Sequence, residues 1–170
     1  SINSKMLKKI GANYVIIGHS ENRKSGETDI LLNKKIKSSI KNKLKIIFCF
    51  GESLSQKKKK LTRRVLTKQI TSALNNIKNK NNIFFAYEPI WSIGTGVIPK
   101  IDDLRSTIIF IKNILKRRLK VKNPKVLYGG SVSPKNIINL KEINELDGFL
   151  IGGASQKAQN FIDIVKKTFN

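Results

Sequence analysis

Two side chains in this 170-residue sequence could move protons beside a substrate, Glu88 and His19, and two glycine pairs could hold an anion next to them. Glu88 closes the apolar run Ile83-Phe84-Phe85-Ala86-Tyr87 and precedes Pro89. A carboxylate at the end of a hydrophobic stretch is costly unless it is paired or used. It reads equally as a buried ion-pair partner and as a general base. His19, the single histidine, follows Tyr14-Val15-Ile16-Ile17-Gly18. Alone, it reads as a satisfied structural residue or as a functional imidazole. Trp91 and the loop Ile93-Gly94-Thr95-Gly96 come soon after Glu88. One segment thus supplies a candidate base, a rigid shoulder and a glycine-bearing lid. The pairs Gly129-Gly130-Ser131 and Gly152-Gly153-Ala154-Ser155 are each compatible with a turn. At two successive strand ends they read as a phosphate cradle, because glycine lets backbone amides come close to an anion. With no metal-ligand cluster in the sequence, the set points to proton transfer on a small phosphorylated substrate.

These groups need elements that bring them to one edge. Tyr14–Ile17, Lys45–Gly51, Ile83–Tyr87, Lys125–Tyr128 and Gly148–Ile151 read as strands. Their continuous apolar character predicts a parallel sheet covered on both faces. Helical spacing is expected over 5–10, capped by Ser4, over 28–40, and over 61–77. Further helices are expected from Asp102 or Asp103, over 134–143 with Ser133 as cap, and from about Lys157. Five strand–helix units in alternation predict an α/β fold in one domain, residues 1–170. His19, Glu52, Glu88, Ser131, Gly152 and Gly153 all fall at the C-terminal ends of strands, the edge where such folds bind ligands. Cys49 lies inside an apolar strand and reads as core packing.

Composition narrows the classes. With 39% hydrophobic residues the chain is not disordered by composition, and no apolar run approaches the length of a membrane span. One cysteine excludes an internal disulfide. The start, SINSKMLKKIG, lacks an apolar signal region, so a cytoplasmic location is expected. It also lacks an initial methionine, so a preceding portion is expected. The net charge of +23 raises a nucleic-acid or membrane-surface partner. The lysines are scattered over every helix, including Lys57–Lys60 in a connection, and Lys, Asn and Ile are over-used together. A solvated basic surface is expected, with no nucleic-acid and no membrane partner.

The segments YVIIGHSE (14–21), CFGES (49–53), YEPIWSIGTG (87–96), YGGSV (128–132) and GFLIGGAS (148–155) resemble, in order, motifs of the triosephosphate isomerase family. The resemblance covers essentially the whole chain. It implies strands four to eight of a TIM (β/α)8 barrel, that is, an incomplete barrel and the C-terminal portion of one barrel domain. It implies interconversion of dihydroxyacetone phosphate and D-glyceraldehyde 3-phosphate through an ene-diol in glycolysis and gluconeogenesis. Glu88 would be the base and His19 the neutral electrophile, the pairing for which this family is the standard example. Gly94, Ser131, Gly152 and Gly153 would hold the phosphate, and Glu21 would support the site. No metal and no organic cofactor is implied, and the full-length protein would be a homodimer.

Some positions depart from the family pattern. Asn22 stands where arginine is frequent, and Val97 where the far hinge of the lid is often lysine. No lysine matches the family's Asn-x-Lys loop of the first strand–helix unit. The chain alone is therefore expected to be inactive or severely impaired. The rival reading is a truncated, non-catalytic phosphate-binding or assembly module.

Overall fold

Five parallel strands pair in sequence order to form one sheet, and the candidate residues lie in the segments that follow its strands. The computed structural model describes residues 2–169. Helix α1 (Ser4–Lys9) precedes β1 (Tyr14–Ile17). Then come α2 (Ser20–Lys24), α3 (Asp29–Lys41), β2 (Lys45–Phe50), α4 (Leu54–Lys58) and α5 (Thr62–Ala73). The second half holds β3 (Ile83–Tyr87), α6 (Ile101–Asn113), β4 (Lys125–Tyr128), α7 (Ile137–Lys141), β5 (Gly148–Phe149) and α8 (Ala158–Phe169). The parallel α/β architecture expected from the alternating pattern is present.

The register explains the burial. In-register rows Val15-Ile46-Ile83, Ile17-Phe48-Phe85-Val126 and Phe50-Tyr87-Tyr128-Phe149 lie on one face, because side chains alternate along a strand. These rows form the core cluster together with Leu32 and Ile36 of α3, Leu66 and Ile70 of α5, and Leu104 and Ile108 of α6. The opposite face carries Ile16-Ile47-Phe84-Lys125. There Ile16 is 51% exposed, and Ile47 and Phe84 are only partly buried. The expectation of a sheet covered on both faces therefore holds for one face throughout, and on the other for the row Cys49-Ala86 but not for the row at Ile16. The other is the concave face, where Ile16 lines a cavity together with His19 and Glu88.

Element ends differ from the sequence reading in instructive ways. Asn3, not Ser4, caps α1 by accepting from the Met6 amide, while Ser4 Oγ reaches Ser38 Oγ at 2.7 Å. Ser133 is not a cap. Its amide donates to Asn136 Oδ1 (2.9 Å), so the asparagine closes the turn before α7. The expected helix over 61–77 stops at Ala73, and β5 is two residues long. Three short helical segments were not anticipated, α2, α4 and a 3-10 turn over Gly153–Gln156. α2 is capped by His19, and α4 by a Ser53–Gln56 capping box.

Candidate active site

Strand parity assigns the site. Ala86 and Glu88 share the concave face, while Tyr87 between them faces the helices. The ladder continues past β3, since the Glu88 amide donates to the Phe50 carbonyl (2.9 Å) and the Gly129 amide to the Tyr87 carbonyl (2.9 Å). Glu88 thus keeps the inward direction of the strand. A cavity of about 390 Å³ opens there, lined by His19, Glu88, Gly94, Ser131, Gly152 and Gly153 among others. All six residues that the sequence singles out for catalysis and substrate binding meet at this one cavity.

His19 and Glu88 face each other, with Nε2 3.8 Å from Oε1. The Glu21 amide donates to His19 Nδ1 (3.4 Å), because His19 caps α2. With Nδ1 accepting, the proton of a neutral imidazole belongs on Nε2, the nitrogen aimed at Glu88. The Glu21 carboxylate lies 3.7 Å from Nδ1 and is 85% exposed, so its amide touches the site more closely than its charge does. Glu88 is buried, and Oε2 has no hydrogen-bond partner. Burial raises its carboxyl above the ordinary carboxylate range, opposed chiefly by the nearby His19. Gly129 is needed beside it, because a Cβ there would sit 2.8 Å from Glu88 Cγ and 2.9 Å from Oε1.

Three anion-binding candidates leave donors or space. Among the described residues, the amides of Gly94 and Gly152 meet no acceptor within the protein. A Cβ on Gly152 or Gly153 would meet nothing within 4 Å, so this pair borders open space instead of packing. Ser131 is engaged differently. Its amide donates to Ser92 Oγ (3.3 Å) and its hydroxyl accepts from the Gly96 amide (3.1 Å), which docks the lid on the β4 loop. Gly94 and Gly96 adopt φ of +70° and +77°, left-handed values that explain the lid's glycines.

Sequence reasoning missed Ser92 and Arg23, which hold these groups, and named Glu52 and Trp91 without foreseeing their contact. Ser92 is fully buried and bonds Tyr128 Oη (3.0 Å) and the Val97 carbonyl (2.6 Å). Arg23 donates to the Gly18 carbonyl (2.8 Å), the Cys49 carbonyl (3.2 Å) and Asp29 (2.8 Å), tying the ends of β1 and β2 together. Glu52, buried on the helix side, accepts from Tyr87 Oη and from Trp91 Nε1 (2.9 Å). Only parity could have flagged this last set, since Tyr87 must point away from Glu88. Cys49 is buried as expected, and burial pushes its thiol far up, consistent with packing. No group of three His, Cys, Asp or Glu residues among the described residues could hold a metal ion.

The family model described as triosephosphate isomerase matches residues 1–168. The chain is 43% identical over 164 residues to the triosephosphate isomerase of Thermodesulfovibrio yellowstonii, covering 95% of this chain and 67% of the relative. It is 42% identical over 170 residues to that of Mycoplasmopsis pulmonis, covering 99% of this chain and 65% of the relative. The crystal structure of triosephosphate isomerase from Bartonella henselae superposes with a TM-score of 0.90 at 34% identity, over 100% of this chain and 70% of that one. The chain spans about two thirds of the length of these relatives.

Proposed function

The chain belongs to the triosephosphate isomerase family, and its function is that family's isomerisation of a triose phosphate; we propose that Glu88 and His19 carry it out. The observation that carries this assignment is a buried carboxylate of raised proton affinity facing an imidazole Nε2 at 3.8 Å across one cavity. With substrate in the cavity beside both groups, Glu88 takes the proton from one carbon. His19 donates a hydrogen bond from Nε2 to the carbonyl oxygen, which gains charge as the ene-diol forms. Glu88 then returns the proton to the neighbouring carbon, while His19 gives its Nε2 proton to the former carbonyl oxygen and takes one back from the other oxygen's hydroxyl, so both side chains end as they began. A neutral imidazole suits this role, because the oxygen needs a donor now and a proton later. Gly94, Gly152 and Gly153 supply amides to the phosphate, and Ser131 helps by seating the lid. Glu21 supports the site through its amide on Nδ1. Lid closure keeps water from the intermediate.

In this reading the five units correspond to the fourth to eighth of a (β/α)8 barrel, supported by the order of the five motifs. The complete enzyme is a cytoplasmic homodimer. No helix among the described residues is long and apolar enough to cross a membrane. The 170-residue chain alone turns over poorly or not at all, because none of its lysines matches the Asn-x-Lys loop that the resemblance leads one to expect.

The test is an isomerase assay with D-glyceraldehyde 3-phosphate, on the chain alone and with the first three strand–helix units of a family member supplied in trans. The expected result is no turnover alone and measurable turnover in the mixture. Glu88→Gln should lower the latter by about 10²- to 10⁴-fold, the usual share of a positioned base. Restored turnover indifferent to that substitution would remove Glu88 from the mechanism. Near-normal turnover of the chain alone would overturn the proposed impairment.

A further inference from the structure

Lys57 lies outside the site described above, yet its Nζ is 3.6 Å from the centroid of the Trp91 ring. At that distance an ammonium is drawn to the negative face of an indole. Trp91 stands at the start of the lid and is the chain's single tryptophan. Its Nε1–H donates to Glu52 Oε1 at 2.9 Å. Glu52 is buried, and among the described residues no Lys or Arg nitrogen lies within 4.0 Å of its carboxylate. The indole is therefore held between a cation on its face and an anion at its N–H, and each polarises it in the sense that favours the other. Helix α4 makes this possible. It begins two residues after Glu52, is fixed by the Ser53–Gln56 capping box, and carries Lys57 back over the ring one turn later. The nearby Arg63 has its own aromatic partner, Phe110, at 5.2 Å.

We propose that Lys57 is a positioning residue for the lid, its ammonium clamping Trp91 against Glu52. The clamp fixes the first hinge of the lid in the arrangement that seats the Gly96 amide on Ser131 Oγ and brings Gly94 over the cavity. What the lid covers rests on the functional reading above; the clamp itself does not.

The experiment compares the 170-residue chain with K57M, K57R and, as a charge control, K122M, at an exposed connection. Amide hydrogen exchange at Gly96 and Val97 reports the lid, and acrylamide quenching of fluorescence reports Trp91 directly. K57M should raise exchange at both amides by about two- to five-fold, the factor that matches an ammonium–indole contact at a partly exposed site. It should also raise the quenching constant, while sheet amides keep their protection. K57R should restore both readings, and K122M should change neither. Lid exchange in K57M equal to that in K122M, or protection lost across the whole sheet, overturns the proposal, as does K57R behaving like K57M. Titration of the unaltered chain with inorganic phosphate separates the two readings. Without shifts at Gly152 and Gly153 the phosphate cradle fails, while the clamp is still decided by exchange.

Discussion

Replacing Glu88 by glutamine should stabilise the folded chain at pH 8 while removing its base. The side chain is 4% exposed and Oε2 is buried without a partner, so the native state pays for a desolvated charge that the unfolded chain keeps in water. Burial raises the folded-state pKa above the ordinary 4.5, and the attraction of His19 recovers only part of this. The sign follows. Below the unfolded value both states hold the proton and no penalty exists. As pH rises through the folded value, the native state must accept the buried charge and loses stability relative to a neutral isostere. The glutamine amide leaves an equally unpartnered atom in the same place, so the gain reflects the removed charge alone, on the order of 1–3 kcal/mol at pH 8. At pH 4 the gain should shrink towards zero. With a urea m-value of about 2 kcal/mol/M, the midpoint should move up by about 0.5–1.5 M at pH 8. Urea unfolding at the two pH values, followed by circular dichroism, measures it. A glutamine variant less stable at pH 8, or one whose gain does not depend on pH, would refute the idea that Glu88 is held at a cost for chemistry.

Three further outcomes follow from contacts already described or equally close. Gly51→Ala places a Cβ 1.8 Å from the Glu88 carbonyl oxygen and should cost more than about 3 kcal/mol, the level of a severe overpacking, seen as a collapsed urea midpoint. Ser92→Ala deletes the hydroxyl shared by Tyr128, Val97 and Ser131, and should cost about 1–3 kcal/mol and speed amide exchange at Ser131. Asp147 is pushed up by burial, but the hydrogen bond from Lys112, the Val126 amide and Lys125 together hold its carboxyl below its usual value. Its contribution is present above the unfolded value of 3.8 and lost as pH falls through the folded one. Lys112→Met should therefore cost about 1 kcal/mol at pH 7 and nothing at pH values where Asp147 is protonated, as urea melts at both would show.

The strands were legible because each is a short β-branched or aromatic run bounded by glycine or by charge, and every one of the five lies where its run predicts. The cavity was legible for a related reason, since glycine, histidine and glutamate are conspicuous at the ends of such runs. What escaped was decided by competition at close range. Asn3 displaced Ser4 as a cap once Ser4 was drawn to Ser38, and Asn136 closed its turn on the Ser133 amide. Neither preference is visible in one residue's propensity, because serine and asparagine are both good caps. Half-coverage of the concave face was equally hidden. Ile16 and Phe84 are as apolar as Ile17 and Phe85, and only the register shows which pair the helices cover.

That register also explains why one peptide bond joins the two halves of the site. Tyr87 and Glu88 are neighbours on opposite faces of the sheet, Glu88 turned to the cavity and His19, Tyr87 turned to Glu52 and the lid's first hinge. Movement of the Trp91 indole away from Glu52 is expected to act on the strand end that also holds Glu88, the proposed base. The coupling needs no long path. Pro89 lies directly between the two, and the Ile90 amide donates to the Glu52 backbone carbonyl at 3.0 Å, so the segment from base to hinge is short and tethered at both ends. Only Pro89 and Ile90 separate Glu88 from Trp91, so a displacement at the hinge is expected to reach the carboxylate by this short link.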